Sequence, residues 1–465
     1  MISKLRQNLS DNPAARWSAL ILISLMMFFA YMFFDVLAPL DKLLATERGW
    51  TPETFGTVGG SSYLLNVFGF LIVAGIILDK MGVRFTGLLA ATLMVVGGAV
   101  KLYGISEAFN AGGFGYDFMN SFWTSMPPSA KVALLGFAIF GCGAEMAGIT
   151  VSKAIVKWFA GKEMALAMSM EMAIARLGVF AVFRLSPAIA DSFGSLVAPV
   201  AICGLLLCIG LLSFSVYALM DRKLDKQLGL ARSGNSEEDA FRVSDIGRLF
   251  TSRVFMIVAF LCVLYYSSIF PFQKFATGMI EARLGIGPTD AAKIFSWFPI
   301  GAMALTPFMG AFIDYRGRAA TMLIFGAALM FACHLIFAFA TLTAPLTYAT
   351  VLLLGVSFAL VPAALWPSVP KLVESRYLGS AYSVIFWIQN VGLAFVPRLF
   401  GWSLQKSNPG VAEQIQAHVE GVSYDYTYPL LIFAGFGVLA FILGIWLKAL
   451  DRKNDYGLEA PNVKK

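Results

Sequence analysis

Apolar residues in this chain come in long runs, not in the spaced stripe of a helix with one wet face. Twelve such runs can be drawn, near 17–40, 56–79, 84–105, 131–157, 162–190 and 195–220, then 252–281, 288–314, 320–341, 345–370, 378–405 and 427–450. Most approach or exceed the roughly 20 residues that an α-helix needs to cross a bilayer. Helices are the expected form, because inside lipid every backbone donor and acceptor must find its partner within the chain. The stretch 221–251 is instead rich in Lys, Arg, Asp, Glu, Ser and Gly. It predicts a solvated linker between two six-helix bundles, 1–220 and 252–465. The fold class is therefore all-α and membrane-spanning.

Composition supports this pattern. The chain has 465 residues, 58% of them hydrophobic and 14% charged, where soluble proteins carry about 25% charged residues. The net charge of +7 does not point to nucleic acid, because the basic residues gather in alternate loops. Lys80 and Arg84, Lys157 and Lys162, Arg222 and Lys223, Arg316 and Arg318, and Lys371 and Arg376 share one side with Arg452 and Lys453. The opposite loops carry Asp41, Glu47, Glu53, Glu107, Asp117, Glu413 and Glu420. The positive-inside rule then places both termini in the cytoplasm, with the plasma membrane as the expected location. No cleavable signal peptide is evident. All five cysteines lie in apolar runs and read as packing residues, not as a disulfide framework. The two histidines, His334 and His418, are far apart, so neither a metal site nor a cofactor is expected. Nothing resembles a nucleotide-binding loop, and no enzyme chemistry is indicated.

Two charges stand inside apolar runs. Glu145 follows Phe-Gly-Cys-Gly-Ala, and Arg176 follows Met-Ala-Ile-Ala. A charge at mid-membrane costs roughly 2.5–3.5 kcal/mol on insertion scales, so it normally faces a cavity and has a role. One acid and one base suit a zwitterion: the carboxylate can accept from an ammonium, and the guanidinium fork suits a carboxylate. The alternative is an internal ion pair of Glu145 with Lys153 or Arg176. Glu171 lies about 140° around the helix from Arg176, and Arg184 about 80°. Each is as suited to a structural partner as to a substrate. Asp35, near the outer end of the first run, reads as a proton carrier, a substrate contact or an interfacial acid.

The two halves repeat. Gly75-Ile-Ile-Leu-Asp79-Lys80-Met-Gly82-Val-Arg84 has its counterpart in Gly310-Ala-Phe-Ile-Asp314-Tyr-Arg316-Gly317-Arg318. Lys157, Arg176 and Gly178 match Lys371, Asn390 and Gly392 at a constant offset of 214 residues (371 less 157, 390 less 176). Duplicated halves around one site are the arrangement of alternating access. The G-x-x-x-D-[RK]-x-G-x-[RK] loop resembles the signature of the major facilitator superfamily. It makes Asp79, Arg84, Asp314 and Arg316, together with Lys153, candidate gating residues.

A closer resemblance runs through five further blocks. These are Tyr-Met-Phe-Phe-Asp35; Gly143-Ala-Glu145; Trp158-Phe-Ala-Gly-Lys162-Glu163 leading to Ala175-Arg176-Leu-Gly178; Tyr265-Tyr266-Ser-Ser-Ile-Phe270-Pro271-Phe272; and Ala364-Leu-Trp366-Pro367 with Gln389-Asn390-Val-Gly392. In order and spacing they resemble the lysosomal dipeptide transporter branch of that superfamily, over roughly residues 20–405. The likeness implies uniport of short peptides, with the amino terminus at Glu145 and the carboxylate at Arg176. Tyr265, Tyr266, Phe272 and Trp366 enter as candidate pocket residues because they fall in these blocks, with Tyr63, Trp297 and Phe298 beside them. Asn390 stands where Arg176 stands in the first half and can serve a peptide bond. The segments 104–130 and 424–428 have no counterpart in the likeness. Lysosomal members use an accessory glycoprotein, and no need for one is evident here. The rival readings are a carrier of organic anions or sugar acids using Arg176 with Arg184, proton-coupled or not, and a transporter-like receptor. The prolines at 271, 299, 307, 362, 367 and 370 read as static kinks or as hinges.

Overall fold

The computed structural model describes residues 8–228, 247, 249–374 and 378–461. Most of the expected linker and Arg376 lie outside these residues. Helices make up the structure throughout. In chain order they are α1 (Pro13–Asp35), α2 (Asp41–Arg48), α3 (Pro52–Val67), α4 (Phe70–Ile105), α5 (Glu107–Asn110), α6 (Tyr116–Asn120), α7 (Pro128–Phe159), α8 (Met164–Phe193) and α9 (Val197–Leu228). The second half has α10 (Arg253–Leu284), α11 (Pro288–Phe295), α12 (Trp297–Arg316), α13 (Ala319–Phe339), α14 (Ala344–Leu372), α15 (Leu378–Ser407), α16 (Val411–Gln416) and α17 (Thr427–Asn454).

Local chemistry sets the helix ends. The Asn12 and Thr51 side chains accept from Ala14 and Thr54 backbone amides, and each precedes a proline at the first helical position. Ser252 caps α10 by accepting from the Phe255 amide. Gly194 and Gly285 close α8 and α10 in the left-handed conformation.

Among the described residues, eleven helical segments are long and apolar enough to span a bilayer. The twelfth crossing comes from α3 and α4. Together they are too long for one crossing, and α4 is broken at Gly82, where φ is 77° and ψ is 172°. The arm before Gly82 continues α3 across the membrane; the arm after it is the next crossing. The expected single run 56–79 is itself interrupted at Phe68 and Gly69. The α3 carbonyl of Val67, freed by that break, accepts from Trp387 Nε1 of α15 at 2.8 Å.

The helices that pack across the two halves meet mainly on the face away from the termini. There α3 lies against α15, α8 against α11 and α12, and α10 against the short turn Ala38–Leu40. The α3–α15 contact is backbone on backbone. A methyl added at Gly60 would stand 2.1 Å from the Ala394 carbonyl oxygen, and one at Gly56 the same distance from the Pro397 carbonyl. Glu53 and Arg398 pair across this seam at 3.0 Å.

Ion pairs on the terminus side stay within one half among the described residues. Asp79 pairs with Lys153 at 2.9 Å. Asp221 of α9 gathers Lys157 (2.8 Å), Trp158 Nε1 (3.0 Å), Tyr217 Oη (3.3 Å) and Arg84 (3.5 Å). Asp225 takes Arg84 and Lys157 as well. The block Trp158 to Glu163 thus has a structural use: Lys162 binds Asp11 at 2.9 Å, and Glu163 binds Arg16 at 2.9 Å, fastening the N-terminal segment. A bond from its own backbone amide, and then Arg16, hold the Glu163 carboxyl below the usual carboxylate range. In the second half Asp451 accepts from the amides of Leu458 (3.0 Å) and Glu459 (3.3 Å), and Lys371 holds the carbonyls of Gly457 and Ala460. Asp314 lies close to Lys371, and Arg316 is exposed. The described contacts of the gating candidates Asp79, Arg84 and Lys153 lie within the first half, where α4, α7 and α9 come together.

Gly60→Ala is expected to part α3 from α15, since only backbone lies opposite. Overpacking of this kind costs about 1–3 kcal/mol. Disulfide formation in an E53C/R398C pair, read by gel mobility, is expected to fall sharply when Gly60→Ala is added; unchanged cross-linking would refute the steric argument.

Candidate substrate cavity between the halves

α1 supplies two polar groups one turn apart, Tyr31 and Asp35, which share a face by helical spacing. The charges of Arg176, Glu171, Glu145 and Asp35 all act on the Tyr31 hydroxyl. Tyr63 of α3 stacks on Phe34 with ring centres 6.0 Å apart, and Glu145 and Tyr31 act on its hydroxyl in turn. From the second half, Tyr266 lies near Arg176, Tyr31 and Trp366, and its ring meets Phe358 at 5.5 Å. Glu145, Arg176, Tyr31, Tyr63, Tyr266 and Trp366 therefore form one polar and aromatic neighbourhood between the halves.

The two central charges are uncompensated among the described residues. Among the described residues Glu145 makes no ion pair, and Lys153, its suggested partner, is held by Asp79. Arg176 makes no ion pair either. Its guanidinium lies over the Phe358 ring of α14, 5.0 Å from the centre. Phe358 meets Tyr266 and Phe270 edge-on at 5.5 and 5.4 Å. An arginine of the first half thus rests on an aromatic wall of the second, a cation–π contact worth ~0.5–2 kcal/mol. Glu171 is half-buried and likewise has no ionic partner among the described residues.

Other expected residues fall elsewhere. Tyr265 does not face the cavity: it is buried, and its hydroxyl donates to the Leu323 carbonyl of α13. Phe272 belongs to the ring core of the second half, stacked on Phe337 at 5.4 Å and beside His334 and Phe433. Phe298 stacks on Phe295 at 5.5 Å in the same core. Both Tyr265 and Phe272 sit in a matched block, but neighbouring residues on a helix face different ways. Trp366 stacks on Phe386 at 4.8 Å. Asn390 is buried; its amide donates to the Phe386 carbonyl at 2.9 Å, and its Oδ1 is without a partner. Trp297 meets Phe180 edge-on across the halves, and Arg184 donates to Ser296 Oγ at 3.1 Å.

Asp35 is the acid of a buried seam. Its carboxylate pairs with Lys274 of α10 at 2.7 Å and accepts from Gln273 Nε2 at 2.5 Å. Lys274 also donates to the Phe34 carbonyl at 2.8 Å. A second lysine, Lys101 of α4, is 1% exposed, with its ammonium 3.7 Å from the Phe137 ring centre. Neither lysine was singled out from the sequence, nor were Tyr31 and Phe358. Both lysines interrupt apolar runs, the same signal that picked out Glu145 and Arg176. No grouping of His, Cys, Asp and Glu suited to a metal occurs among the described residues.

A sequence model of the Major Facilitator Superfamily matches residues 20–397 and again 275–462. This chain belongs to that superfamily. It is a membrane transporter and not an enzyme. Its relatives include the lysosomal dipeptide transporter MFSD1 of Mus musculus, 27% identical over 342 residues that make up 71% of this chain and 68% of the relative. The Homo sapiens protein of the same name is 25% identical over 340 residues, 71% of this chain and 67% of its own. Among solved structures, a D-xylose–proton symporter superposes with a TM-score of 0.66 at 14% identity, covering 92% of this chain and 97% of its own. A bacterial homolog of the human lysosomal transporter Spinster, in an inward-facing and occupied conformation, gives 0.64 at 12% identity, covering 94% and 98%. At such identities these structures support the superfamily fold and do not distinguish among cargoes.

The Asp35–Lys274 pair yields a thermodynamic expectation. Removing one member of a buried pair strands the other charge and costs about 3–5 kcal/mol, whereas removing both is far milder. Asp35→Asn and Lys274→Met are each expected to lower the unfolding temperature more than the double variant does. Additive losses in a double-mutant cycle would count against the buried pair.

Proposed function

We propose that this transporter moves short peptides, dipeptides foremost, by uniport. The observation that carries the reading is the pair of uncompensated charges, Glu145 and Arg176, beside tyrosine hydroxyls in the space between the halves. A peptide ammonium supplies what Glu145 lacks, and its carboxylate supplies what Arg176 lacks. Tyr31, Tyr63 and Tyr266 offer hydroxyls to the peptide bond, and the rings of Phe358 and Trp366 accept varied side chains. The relatives named for dipeptide transport support the same class.

The seam geometry supports alternating access. With α3 and α15 in contact and Asp35 joined to Lys274, the face away from the termini is shut. We assign the terminus side to the cytoplasm, on the basic loops, and the protein to the plasma membrane. In this reading the cavity opens inward, and substrate release at that side precedes separation of the α3–α15 seam. Arg176 changes partner during the cycle, leaving the Phe358 ring for the peptide carboxylate. The organic-anion reading needs Arg184 as a second cavity cation, but Arg184 is occupied at Ser296.

Uptake of a labelled dipeptide into proteoliposomes preloaded with unlabelled dipeptide tests this. Arg176→Ala is expected to abolish saturable counterflow, and Glu145→Gln to reduce it at least tenfold, with both variants retaining the wild-type elution profile. N-acetylation of the dipeptide should remove its ability to compete. Undiminished counterflow in Arg176→Ala, or equal competition by an anion lacking an amine, would overturn the peptide reading.

A further inference from the structure

A second cavity lies on the closed face, apart from the central charges. It is partly open to solvent, and both halves line it. α2 and α3 contribute Asp41, Ala45 and Phe55, and the second half contributes Phe275, Glu281 and Tyr426.

Its polar groups converge and are unsatisfied. Asp41 Oδ1 is buried without a hydrogen-bond partner, as is the hydroxyl of Tyr424. Tyr426 is 2% exposed, and among the described residues its hydroxyl makes no hydrogen bond. Asp41 Oδ2 and Tyr426 Oη both point at the bare face of Gly278, where a methyl would stand 2.4 and 2.6 Å from them. One oxygen comes from each half. Around them the walls are aromatic. Phe55 and Phe275 meet edge-on at 5.3 Å across the halves, and Trp50 is fixed by donating to Ser129 Oγ at 2.9 Å. At the rim Lys42 pairs with Glu281 at 2.6 Å. That pair cancels, so Asp41 is the uncompensated charge of the lining.

An uncompensated carboxylate, two free hydroxyls and a ring-lined wall fit an ammonium bearing a flat apolar group. The carboxylate takes a charge-assisted bond, and the rings take both the cation and its apolar tail. We propose that this cavity is a binding site for small aromatic or apolar monocations. Because its walls belong to both halves, the site is complete only while this face is closed. A bound monocation therefore holds the closed face shut.

The test is the unfolding temperature of the purified full-length protein against phenethylammonium chloride, with 2-phenylethanol as the uncharged control. A ligand that binds the folded state raises the transition in a saturable manner. The expected result is saturable stabilisation by phenethylammonium and none by 2-phenylethanol. Asp41→Asn should weaken the apparent Kd at least tenfold, and Glu145→Gln should leave it within twofold. Asp41 has no ionic partner to strand, so this variant should fold; if it does not, Ala282→Leu, which fills the wall, takes its place under the same criterion. Absence of saturable stabilisation, an equal response to 2-phenylethanol, a Kd within tenfold of wild type in Asp41→Asn, or loss of the response in Glu145→Gln overturns the proposal. The readout is binding at a site remote from Glu145, so it stands or falls independently of what the central cavity carries.

Discussion

The structure depends on one close contact, that of α3 with α15. Gly56 and Gly60 bring the α3 backbone against the carbonyls of Pro397 and Ala394. No side chain separates them, so this seam cannot be loosened by a change of rotamer; the helices are either together or apart. That all-or-none character is what a transporter with two access states requires. It also places the remaining cross-half groups. With the seam closed, Asp35 reaches Lys274, Lys42 reaches Glu281, and Trp387 caps the broken end of α3.

The electrostatics of the seam and of the cavity are opposite in kind. Asp35 and Lys274 are buried and mutually satisfied, with Gln273 and the Phe34 carbonyl completing the shell. Such a pair gains little net stability against apolar packing, but half of it is strongly unfavourable. It therefore specifies register more than it adds stability: α1 and α10 fit in one alignment. Glu145 and Arg176 lack partners among the described residues, and on the proposed reading that imbalance is what a zwitterion would act on. A ligand shifts an equilibrium only through contacts that differ between states. Arg176 offers such a difference, because its present contact, the Phe358 ring, belongs to the other half.

Much of the fold was legible in the sequence because lipid imposes a simple rule on backbone groups. Runs of apolar residues became helices, and the doubled Asp79 and Asp314 loops marked the repeat. What escaped the sequence was direction. Among the described contacts Lys153 meets Asp79, and Arg84 joins Lys157 around an acid at Asp221 that no motif had flagged, all within the first half. α9 continues to Leu228 and so carries Asp221 and Asp225 to those bases, where a linker was expected from residue 221. Tyr265 and Tyr266 are adjacent, so a motif cannot separate them; about 100° of helical rotation sends one into the bundle core and the other toward Arg176. Segment 104–130 forms the short helices α5 and α6, and Tyr424 and Tyr426 became walls of a cavity. Neither location follows from periodicity.

The lysines mark where the sequence reading was incomplete by its own rule. An ionisable group inside a membrane run is a candidate by default, and Lys101 and Lys274 satisfy that as well as Glu145 does. Including them changes the charge pattern of the interior. Two lysines lie over Phe137, whose ring centre is 3.7 Å from Nζ of Lys101 and 5.7 Å from Nζ of Lys274, and Lys274 is the one paired with Asp35. Asp35 can neutralise only one of them at short range. In the closed seam it is Lys274, which comes from the other half, while Lys101 shares a half with Asp35 and rests on aromatic faces. Parting the halves removes Lys274 from the carboxylate and leaves the acid and Lys101 together in the first half. Lys101 makes no direct contact with that carboxylate, so opening the seam carries the cost of separating a buried ion pair, and the closed state is favoured until a ligand offsets it.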